Sequence, residues 1–493
     1  MLDCAGSVSD DGAGTRSEPV GRDLALLLLG AALLFSANAG SIPLPAMDDC
    51  FYARKGVETM RRGAFFTVTW NGEPTFQNPP LQFWILGRTF ALLGTNDLAA
   101  RLPSMMMALG ILAATWRIGS LTLGRAAGAT AAGLLVLSPF FVTHARRCML
   151  EVPLAFWVTL AMLVLVEGWL RPHLLVLLAV PLGGAILTKS VLGLLPLALL
   201  GVAMALGPAI RSLRRAPGLW CGALGGLLLG ASWPVHQWAT FGVQAVRQHY
   251  FSEVISRSAT GFDLRGLLLD YPAALMVSFQ PVVLPGMAGV VALWKRRREG
   301  LLVLLPLWAG LPVLLYALSS ARSPRYIFPI FPALALCAGE WLTRRWPALG
   351  TALPRVAVPL VSAAVAALLW VYPSLLTRAG TTVFKTDRLV KERVPEGEPL
   401  TYLGSRGQYW GLANPLLYYD ERFLESPADS ATEALARLRT RRSGLLVVER
   451  RRLDELGPAT PGSRVLLDGG GFLVLDFGGT TAEVEVDRPG PPH

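Results

Sequence analysis

The sequence is poor in charged residues and lacks paired cysteines. Only 16% of its 493 residues are charged, 53% are hydrophobic, and the mean hydropathy is +0.46. A soluble domain fits these values poorly. The five cysteines are scattered without a Cys-x-x-Cys motif, so neither a metal site nor a redox pair follows from them. The composition therefore predicts a polytopic membrane protein.

Lysine is also scarce, with five in the whole chain, so arginine carries most of the net charge of +11. The basic clusters stand between apolar runs, as at 211–215, 295–298 and 344–345. This placement is typical of cytoplasmic loops under the positive-inside rule and argues against a nucleic-acid groove. We predict membrane lipids as partners and no nucleic acid.

Apolar segments long enough to cross a bilayer recur along most of the chain. They lie near 23–43, 98–120, 126–143, 153–170, 173–188, 190–208, 218–238, 271–294, 300–319, 325–342 and 352–372. With the N-terminus in the cytoplasm, the basic residues fall on the inner side at every second junction. The sequence thus predicts an α-helical membrane protein of about eleven or more spans, with its C-terminus outside.

The predicted organisation has three parts: a cytoplasmic tail over 1–22, a membrane domain over 23–372 and a soluble domain over 373–493. Arg22 and Ala37-Asn38-Ala39 around the first span resemble a cleavable signal peptide, but with ten spans behind it an uncleaved anchor is favoured. Within the membrane domain, 44–97 forms a long outer loop. Its stretch 81–93 suits a helix in the interface plane or a re-entrant piece.

Short apolar runs beyond residue 373 predict a small α/β domain on the outer face. We expect strands at 402–404, 445–448 and 472–475 and a helix at 431–440. This domain could position an acceptor or only cap the fold.

Two acidic sites stand at junctions between a loop and the membrane. Asp48-Asp49 follows the first apolar run, and Glu151 opens another. A carboxylate there is costly to desolvate, which suggests chemistry at the bilayer surface. The alternative is that these are solvated loop charges at helix ends.

Cations lie on the same predicted side. Lys189 sits between two apolar runs with no acid nearby in sequence, so a lipid-linked phosphate is one partner, and a snorkelling role is the alternative. Arg325 is either a phosphate clamp or an arginine at a helix start. We expect His144 and His249 to be polar loop residues rather than metal ligands.

In order, the motifs resemble those of the dolichyl-phosphate-mannose-type protein mannosyltransferases and of the bacterial aminoarabinose transferases of lipid A. The resemblance covers 23–342 and rests on these segments: Asp48–Ala53 (DDCFYA), Met60–Gly63 (MRRG), Asn71-Gly72, Asn78–Leu81 (NPPL), Arg101–Pro103 (RLP), Arg147–Pro153 (RCMLEVP), Leu187–Ser190 (LTKS), Tyr250–Arg257 (YFSEVISR) and Ser319–Phe331 (SSARSPRYIFPIF). It implies a C-type glycosyltransferase fold in a bacterial inner membrane. The implied reaction is inverting transfer from a polyprenyl-phosphate sugar to a lipid, protein or glycan acceptor at the outer face.

The resemblance also implies roles for individual residues. Asp48 would be the base, with Asp49 and Glu151 as the further acidic positions. The donor phosphate would be held by Lys189, Arg257, Arg325 and Tyr326. Other substrate contacts would come from Tyr52, Asn78 and Arg147. No cofactor is predicted, and a divalent metal is left open.

The sequence departs from the family pattern at two positions. Asn78 stands where a lysine often precedes Pro-Pro-Leu, so Arg54, Lys55 or Arg88 could supply that phosphate contact. Asp49 stands where the family usually has glutamate. A membrane transporter or lipid flippase for envelope glycolipids is the alternative function, and a non-catalytic scaffold is a third. The acids lie at loop ends and not within spans, which favours the transferase.

Overall fold

The fold is described by a computed structural model of the chain. It describes residues 20–45, 48–63, 65–255, 265, 269–317, 324–352, 355, 358–371, 389–390, 392–394, 398–405, 414–415, 417–419, 425–440, 443–468 and 472–477.

Helices dominate the chain up to residue 371. The first group is α1 (Val20–Ser36), α2 (Asp48–Arg62), α3 (Leu81–Leu93), α4 (Asp97–Thr122), α5 (Arg125–Val136), α6 (Pro139–Ala145), α7 (Glu151–Leu170), α8 (Ala179–Lys189), α9 (Leu195–Leu206), α10 (Pro217–Phe241) and α11 (Val243–Arg247). The second group is α12 (Tyr271–Ser278), α13 (Val283–Lys295), α14 (Leu304–Ala317), α15 (Phe331–Arg345), α16 (Pro347–Ala352) and α17 (Val358–Val371). Short 3₁₀ segments at Pro172–Leu178, Ser190–Leu194, Ile210–Arg215 and Pro324–Ile330 connect several of them.

Several of these helices have the length and composition of membrane spans. Among the described residues, five helices or helical runs are long and apolar enough to cross a bilayer, and α5 with α6 makes a sixth that is bent by 71°. One of the five is the run Pro172–Leu206, where the sequence predicts two spans. Together with the fold comparisons below, they make the chain an integral membrane protein. The count of eleven spans stays a prediction.

Close helix packing depends on glycine at the contacts between helices. A Cβ atom on Gly289 of α13 would lie 1.9 Å from the carbonyl oxygen of Cys337 in α15. On Gly119 of α4 it would lie 2.4 Å from the Cα atom of Gly128 in α5. Small residues are what allow helix backbones to approach this closely in a membrane. Helix α15 packs closely on α13 through Gly289 and on α5 through Gly339, and most of its residues are buried.

The predicted outer loop 44–97 contains two helices and a hairpin. The sequence analysis assigned no secondary structure to 48–62, where the structure has α2. The pattern that predicts it is acids in the first turn, Arg61-Arg62 in the last, and Gly63 just beyond. Strands β1 (Thr69–Trp70) and β2 (Glu73–Pro74) pair around Asn71-Gly72, both with positive φ.

The C-terminal region contains a sheet where the sequence predicts strands. Within the described residues, β3 (Thr401–Leu403), β4 (Leu445–Glu449), β5 (Arg464–Asp468) and β6 (Phe472–Asp476) form one sheet in the order β3-β4-β6-β5. β3 is parallel to β4, and the other pairs are antiparallel. Helix α18 (Ala431–Arg439) connects the parallel pair, and Ala434 and Leu438 are buried in the core below the sheet. The domain boundary at 373 stays a prediction.

Candidate active site

The first turn of α2 carries both acids of the Asp48-Asp49 pair. A carboxylate is stabilised there by the positive end of the helix dipole. Neighbouring helix residues point about 100° apart, so the two side chains face different surroundings. The Asp48 side chain is 35% exposed, whereas that of Asp49 is fully buried. Only Asp48 is therefore accessible to a substrate.

Asp48 belongs to a continuous row of charged and aromatic side chains. The Arg325 guanidinium donates a hydrogen bond to Asp48 and lies 5.4 Å from the centre of the Tyr326 ring. The Lys189 ammonium lies 4.9 Å from the same ring and 3.2 Å from Oε1 of Glu151. We call these five residues the charge row. The structure thus joins residues that the sequence separates by up to 278 positions.

Lys189 has an acidic partner, contrary to the expectation from sequence. Glu151 opens α7 and is buried, and it pairs with Lys189 at the end of α8. The chain reverses just after Lys189: Ser190 has a φ of +46°, and Gly193 packs against the backbone of Ala185 and Ile186. This turn fixes where the lysine side chain points. A buried ion pair explains how an ammonium persists between two apolar runs.

Tyr52 lies one helical turn after Asp48 and faces the charge row. Burial raises the pKa of Tyr52 well above its usual value, and the charges of Asp48 and Glu151 raise it further. Its phenol is therefore protonated at neutral pH. The ring packs on Phe83 of α3, 6.1 Å between centroids.

Asp49 anchors the loop that precedes α7. Its Oδ2 accepts hydrogen bonds from Nε and Nη2 of Arg147 at 3.1 and 2.5 Å, and its Oδ1 accepts one from the Cys148 N–H at 2.9 Å. Burial raises the pKa of Asp49, and the Arg147 charge and both kinds of hydrogen bond oppose that rise. The sequence analysis places Asp49 among the catalytic acids and Arg147 among the substrate contacts, and the structure joins the two to each other.

Two further arginines bind backbone carbonyls next to this loop. Arg101 donates to the carbonyl oxygens of Ala39, Ile42, Pro43 and Arg146 at 2.5 to 3.0 Å. Arg146 donates to those of Leu34 and Ala37 at the end of α1. Burial lowers the pKa of Arg146 to about 10, so it is still cationic at neutral pH. We call Arg101 and Arg146 the arginine bracket.

Of the remaining sequence-predicted residues, Asn78 does not join the charge row. Asn78 is partly buried in the loop before α3 and makes no hydrogen bond to it among the described contacts. Arg257 lies outside the described residues. Of the substitutes for the missing lysine, Arg54 pairs with Glu58 at 2.7 Å and Arg88 is exposed. Lys55 is fully buried, 4.0 Å from the Phe51 ring centre.

His144 and His249 each hydrogen-bond a backbone carbonyl, of Phe140 at 2.8 Å and of Phe76 at 2.7 Å. No group of three or more metal-ligating side chains occurs in the part of the chain that the structure describes.

Comparison with known proteins identifies the fold. The family model described as dolichyl-phosphate-mannose-protein mannosyltransferase matches residues 77–236. The fold is similar to that of ArnT from Cupriavidus metallidurans bound to undecaprenyl phosphate, with a TM-score of 0.71, 17% identity, and coverage of 93% of this chain and 98% of that one. The apo oligosaccharyltransferase of Archaeoglobus fulgidus gives a TM-score of 0.59 at 12% identity, with coverage of 88% and 70%. The chain has the fold of the C-type glycosyltransferases.

The sequence relatives of the chain include an uncharacterized protein and a named transferase. An uncharacterized protein of Aquifex aeolicus is 26% identical, over 64% of this chain and 63% of its own length. The undecaprenyl phosphate-alpha-4-amino-4-deoxy-L-arabinose arabinosyl transferase 1 of Pseudomonas fluorescens Pf-5 is 27% identical, over 65% and 60%. The match thus spans less than two thirds of either relative. The C-type glycosyltransferase fold predicted from sequence for the membrane domain is confirmed, whereas the number of spans and the separate C-terminal domain stay predictions.

Several contacts near this site were not predicted from the sequence. Two residues of the C-terminal region contact the predicted outer loop: Arg54 donates to the Leu417 carbonyl at 2.9 Å, and Trp70 donates to the Asn414 side chain at 3.1 Å. Trp233 and Gln237 of α10 both donate to the Phe66 carbonyl. Because these partners are far apart in sequence, no local pattern predicts them.

A cavity of about 440 Å³ lies beside Arg147. Its lining combines apolar side chains of α1, α5, α6 and α17 with the arginine bracket, and it includes no acidic residue among those described.

Proposed function

We propose that this protein transfers a sugar from a polyprenyl-phosphate carrier to an acceptor hydroxyl or amine at the outer face of a bacterial inner membrane. The observation that carries the proposal is the charge row, in which the accessible Asp48 carboxylate pairs with Arg325, and Arg325 and Lys189 share the Tyr326 ring. A transferase of this kind needs a base for the acceptor and fixed positive charge for the departing phosphate.

Lys189 and Arg325 would hold the donor phosphate, with Arg257 and the Tyr326 ring beside them. As the glycosidic bond breaks, the phosphate oxygen gains negative charge, so cations already in place lower the barrier most at that point. The Nε of Arg325 is buried and meets no hydrogen-bond partner among the described residues. It is a donor that a phosphate oxygen could use.

Asp48 would act on the acceptor after the donor has bound. A phosphate at Arg325 competes with Asp48 for the guanidinium and leaves this carboxylate able to accept the acceptor's proton. The acceptor atom then bonds to the anomeric carbon, the bond from that carbon to the phosphate oxygen breaks, and Asp48 takes the proton. A single displacement of this type inverts the anomeric centre.

Glu151 and Asp49 would be positioning residues. Glu151 fixes the Lys189 ammonium, and Asp49 fixes Arg147 beside the base. Neither carboxylate has more than 5% of its side chain exposed, which favours a role through these cations over direct contact with substrate.

The acceptor is proposed to be an amphiphile. The 440 Å³ cavity is lined by apolar side chains and arginines, a combination that suits an apolar chain with an anionic headgroup. Aminoarabinose transferases and an oligosaccharyltransferase are both among the related proteins, so lipid and peptide acceptors are the two classes to compare.

The test is donor turnover by purified protein in nanodiscs. A panel of polyprenyl-phosphate sugars is supplied with lipid or peptide acceptors, and release of polyprenyl phosphate is followed by mass spectrometry. We expect turnover with at least one donor and its loss in Asp48→Asn. A folded protein that neither turns over nor binds any donor would contradict the proposal.

The chain offers a matched control in Asp23. Its side chain is 34% exposed, like that of Asp48, and it pairs with Arg355 at 3.0 Å away from the charge row. Asp23→Asn therefore removes a comparable ion pair and should keep wild-type turnover.

A further inference from the structure

The C-terminal region makes a hydrogen bond to the segment that leads into α2. The hydroxyl of Tyr419 accepts from the Leu44 N–H at 2.7 Å and donates to Oδ1 of Asp97 at 2.6 Å. Burial raises the pKa of Tyr419, so the hydroxyl keeps the proton that it donates. These two hydrogen bonds are made to the membrane domain, at residues 375 and 322 positions away.

Leu44 lies in a segment whose backbone is hydrogen-bonded both by the membrane domain and by the C-terminal region. Arg101, from the membrane domain, binds three carbonyls between residues 39 and 43. Tyr419, from the C-terminal region, binds the N–H of Leu44, which is fully buried. Loss of this partner would leave a buried N–H without a hydrogen bond, which is costly because no water replaces it.

The same segment contacts α2 next to the predicted base. The Cys50 thiol lies 3.9 Å from the carbonyl oxygen of Leu44 and 3.5 Å from that of Pro45. Cys50 is two residues after Asp48 in the first turns of α2. A displacement of Leu44 would therefore also displace the first turn of α2, which carries Asp48.

We propose that Tyr419 is a positioning residue for Asp48, through which the C-terminal domain completes the active site. The inference rests on the proposed function for what Asp48 does, and on the Tyr419–Leu44–Cys50 contacts for how its position is set. A displacement of about 1 Å at a catalytic group can cost on the order of 100-fold in rate, so one lost hydrogen bond is enough to matter.

Tyr419→Phe tests this without detaching the domain. The ring stays, and the contacts of Leu417 with Arg54 and of Asn414 with Trp70 do not involve the hydroxyl. The matched control is Tyr418→Phe. The Tyr418 hydroxyl is buried, but it meets no hydrogen-bond partner among the described residues.

The first measurement is alkylation of Cys50, followed site by site with mass spectrometry. Burial raises the pKa of the Cys50 thiol well above its usual value, so it should react slowly in the wild type. We expect Tyr419→Phe to speed labelling of Cys50 at least about fivefold, because the segment covering it opens locally. Cys337, buried within α15, is the internal reference and should keep its rate.

The second measurement separates kcat from KM. In Tyr419→Phe we expect kcat for the donor to fall roughly 10-fold with KM within about twofold, because the phosphate-binding cations are untouched. Tyr418→Phe should match the wild type in both readouts. A loss of folded protein would instead lower activity and speed labelling of every buried cysteine together.

The outcomes decide the two proposals separately. An unchanged Cys50 rate in Tyr419→Phe overturns the inference whether or not any donor is turned over. A faster Cys50 rate with unchanged kcat also overturns it, because the segment then moves without affecting Asp48. Absence of turnover in the wild type counts against the proposed function, and the Cys50 rates still report on the contact.

Discussion

The charge row and the arginine bracket both use arginine next to the start of α2, yet they differ in what the guanidinium binds. In the charge row, Arg325 binds a carboxylate, and both side chains are about one third exposed. In the bracket, Arg101 is 5% exposed and binds backbone carbonyls in the loop between α1 and α2. A phosphate can replace the carboxylate as the partner of Arg325. The backbone carbonyls that Arg101 binds are part of the fold and cannot be displaced. The partner, more than the residue type, distinguishes a site from a scaffold.

The largest expected difference is between substitutions of the adjacent acids Asp48 and Asp49. Asp48→Asn should lower turnover about 10³-fold, since it removes the general base. It should also tighten binding of polyprenyl phosphate, because the competitor for Arg325 is gone. Both effects are measured on one preparation, by donor turnover and by a binding titration.

Asp49→Asn is the counterpart. It removes the anchor of Arg147, so we expect a lower unfolding temperature and no tightening of phosphate binding. Equal effects of the two substitutions on binding would contradict the exchange between Asp48 and phosphate.

The Lys189–Glu151 pair tests the buried end of the charge row. Lys189→Met leaves Glu151 without its partner and should destabilise the protein by about 3–5 kcal/mol. Adding Glu151→Gln removes the buried charge and should recover most of that stability. Turnover should stay low in both variants, since the cation for the phosphate is absent. Thermal unfolding and donor turnover together check this, and recovery of turnover in the double variant would exclude Lys189 from phosphate binding.

Arg101→Lys tests the bracket. A lysine keeps the charge but cannot reach four carbonyls in the geometry of a guanidinium. We expect a loss of about 2 kcal/mol from hydrogen bonds to a charged group. Polyprenyl phosphate affinity per folded molecule should stay near that of the wild type. A selective loss of affinity, with normal unfolding, would place Arg101 in the site instead of the scaffold.

The smallest expected effect comes from His249, whose ring hydrogen-bonds the backbone carbonyl of Phe76. Burial lowers the pKa of His249 below its usual value, and the hydrogen bond to Phe76 partly offsets this. The neutral ring is thus favoured in the folded state, so its contribution is fully present above the unfolded pKa of about 6.5 and is lost as pH falls below it. We expect His249→Gln to reduce the acid-induced drop in unfolding temperature between pH 7.5 and 5.5, and an identical drop would contradict this.

Much of the candidate site could be predicted because an ionisable residue at the edge of an apolar run is costly to desolvate. Asp48, Glu151, Lys189 and Arg325 stand out in sequence as ionisable residues beside apolar runs, and the structure brings all of them together. Their pairing was not predictable, since the sequence shows no acid near Lys189. Asn78 stands in a family motif but does not join the row.

The fold was predictable at the level of apolar segments and less so at their ends. Among the described strands of the C-terminal sheet, β3, β4 and β6 occur where short apolar runs predict them, whereas β5 was missed. The helix α2 was missed because its many buried charges conceal an apolar face, although its terminal residues indicate a helix. The scaffold role of Arg101 and the reach of Tyr419 depend on tertiary contacts, for which no local signal exists.

The hydrogen bond between Leu44 and Tyr419 also sets an order of events during synthesis. Its two partners are 375 residues apart. At 5–20 residues per second, the ribosome reaches the second partner roughly 20–75 s after the first. Throughout that interval the nascent chain already has its first outer helix but lacks the tyrosine that braces it. Full activity would therefore require synthesis past residue 419, and a chain truncated before that residue would be a poorer catalyst.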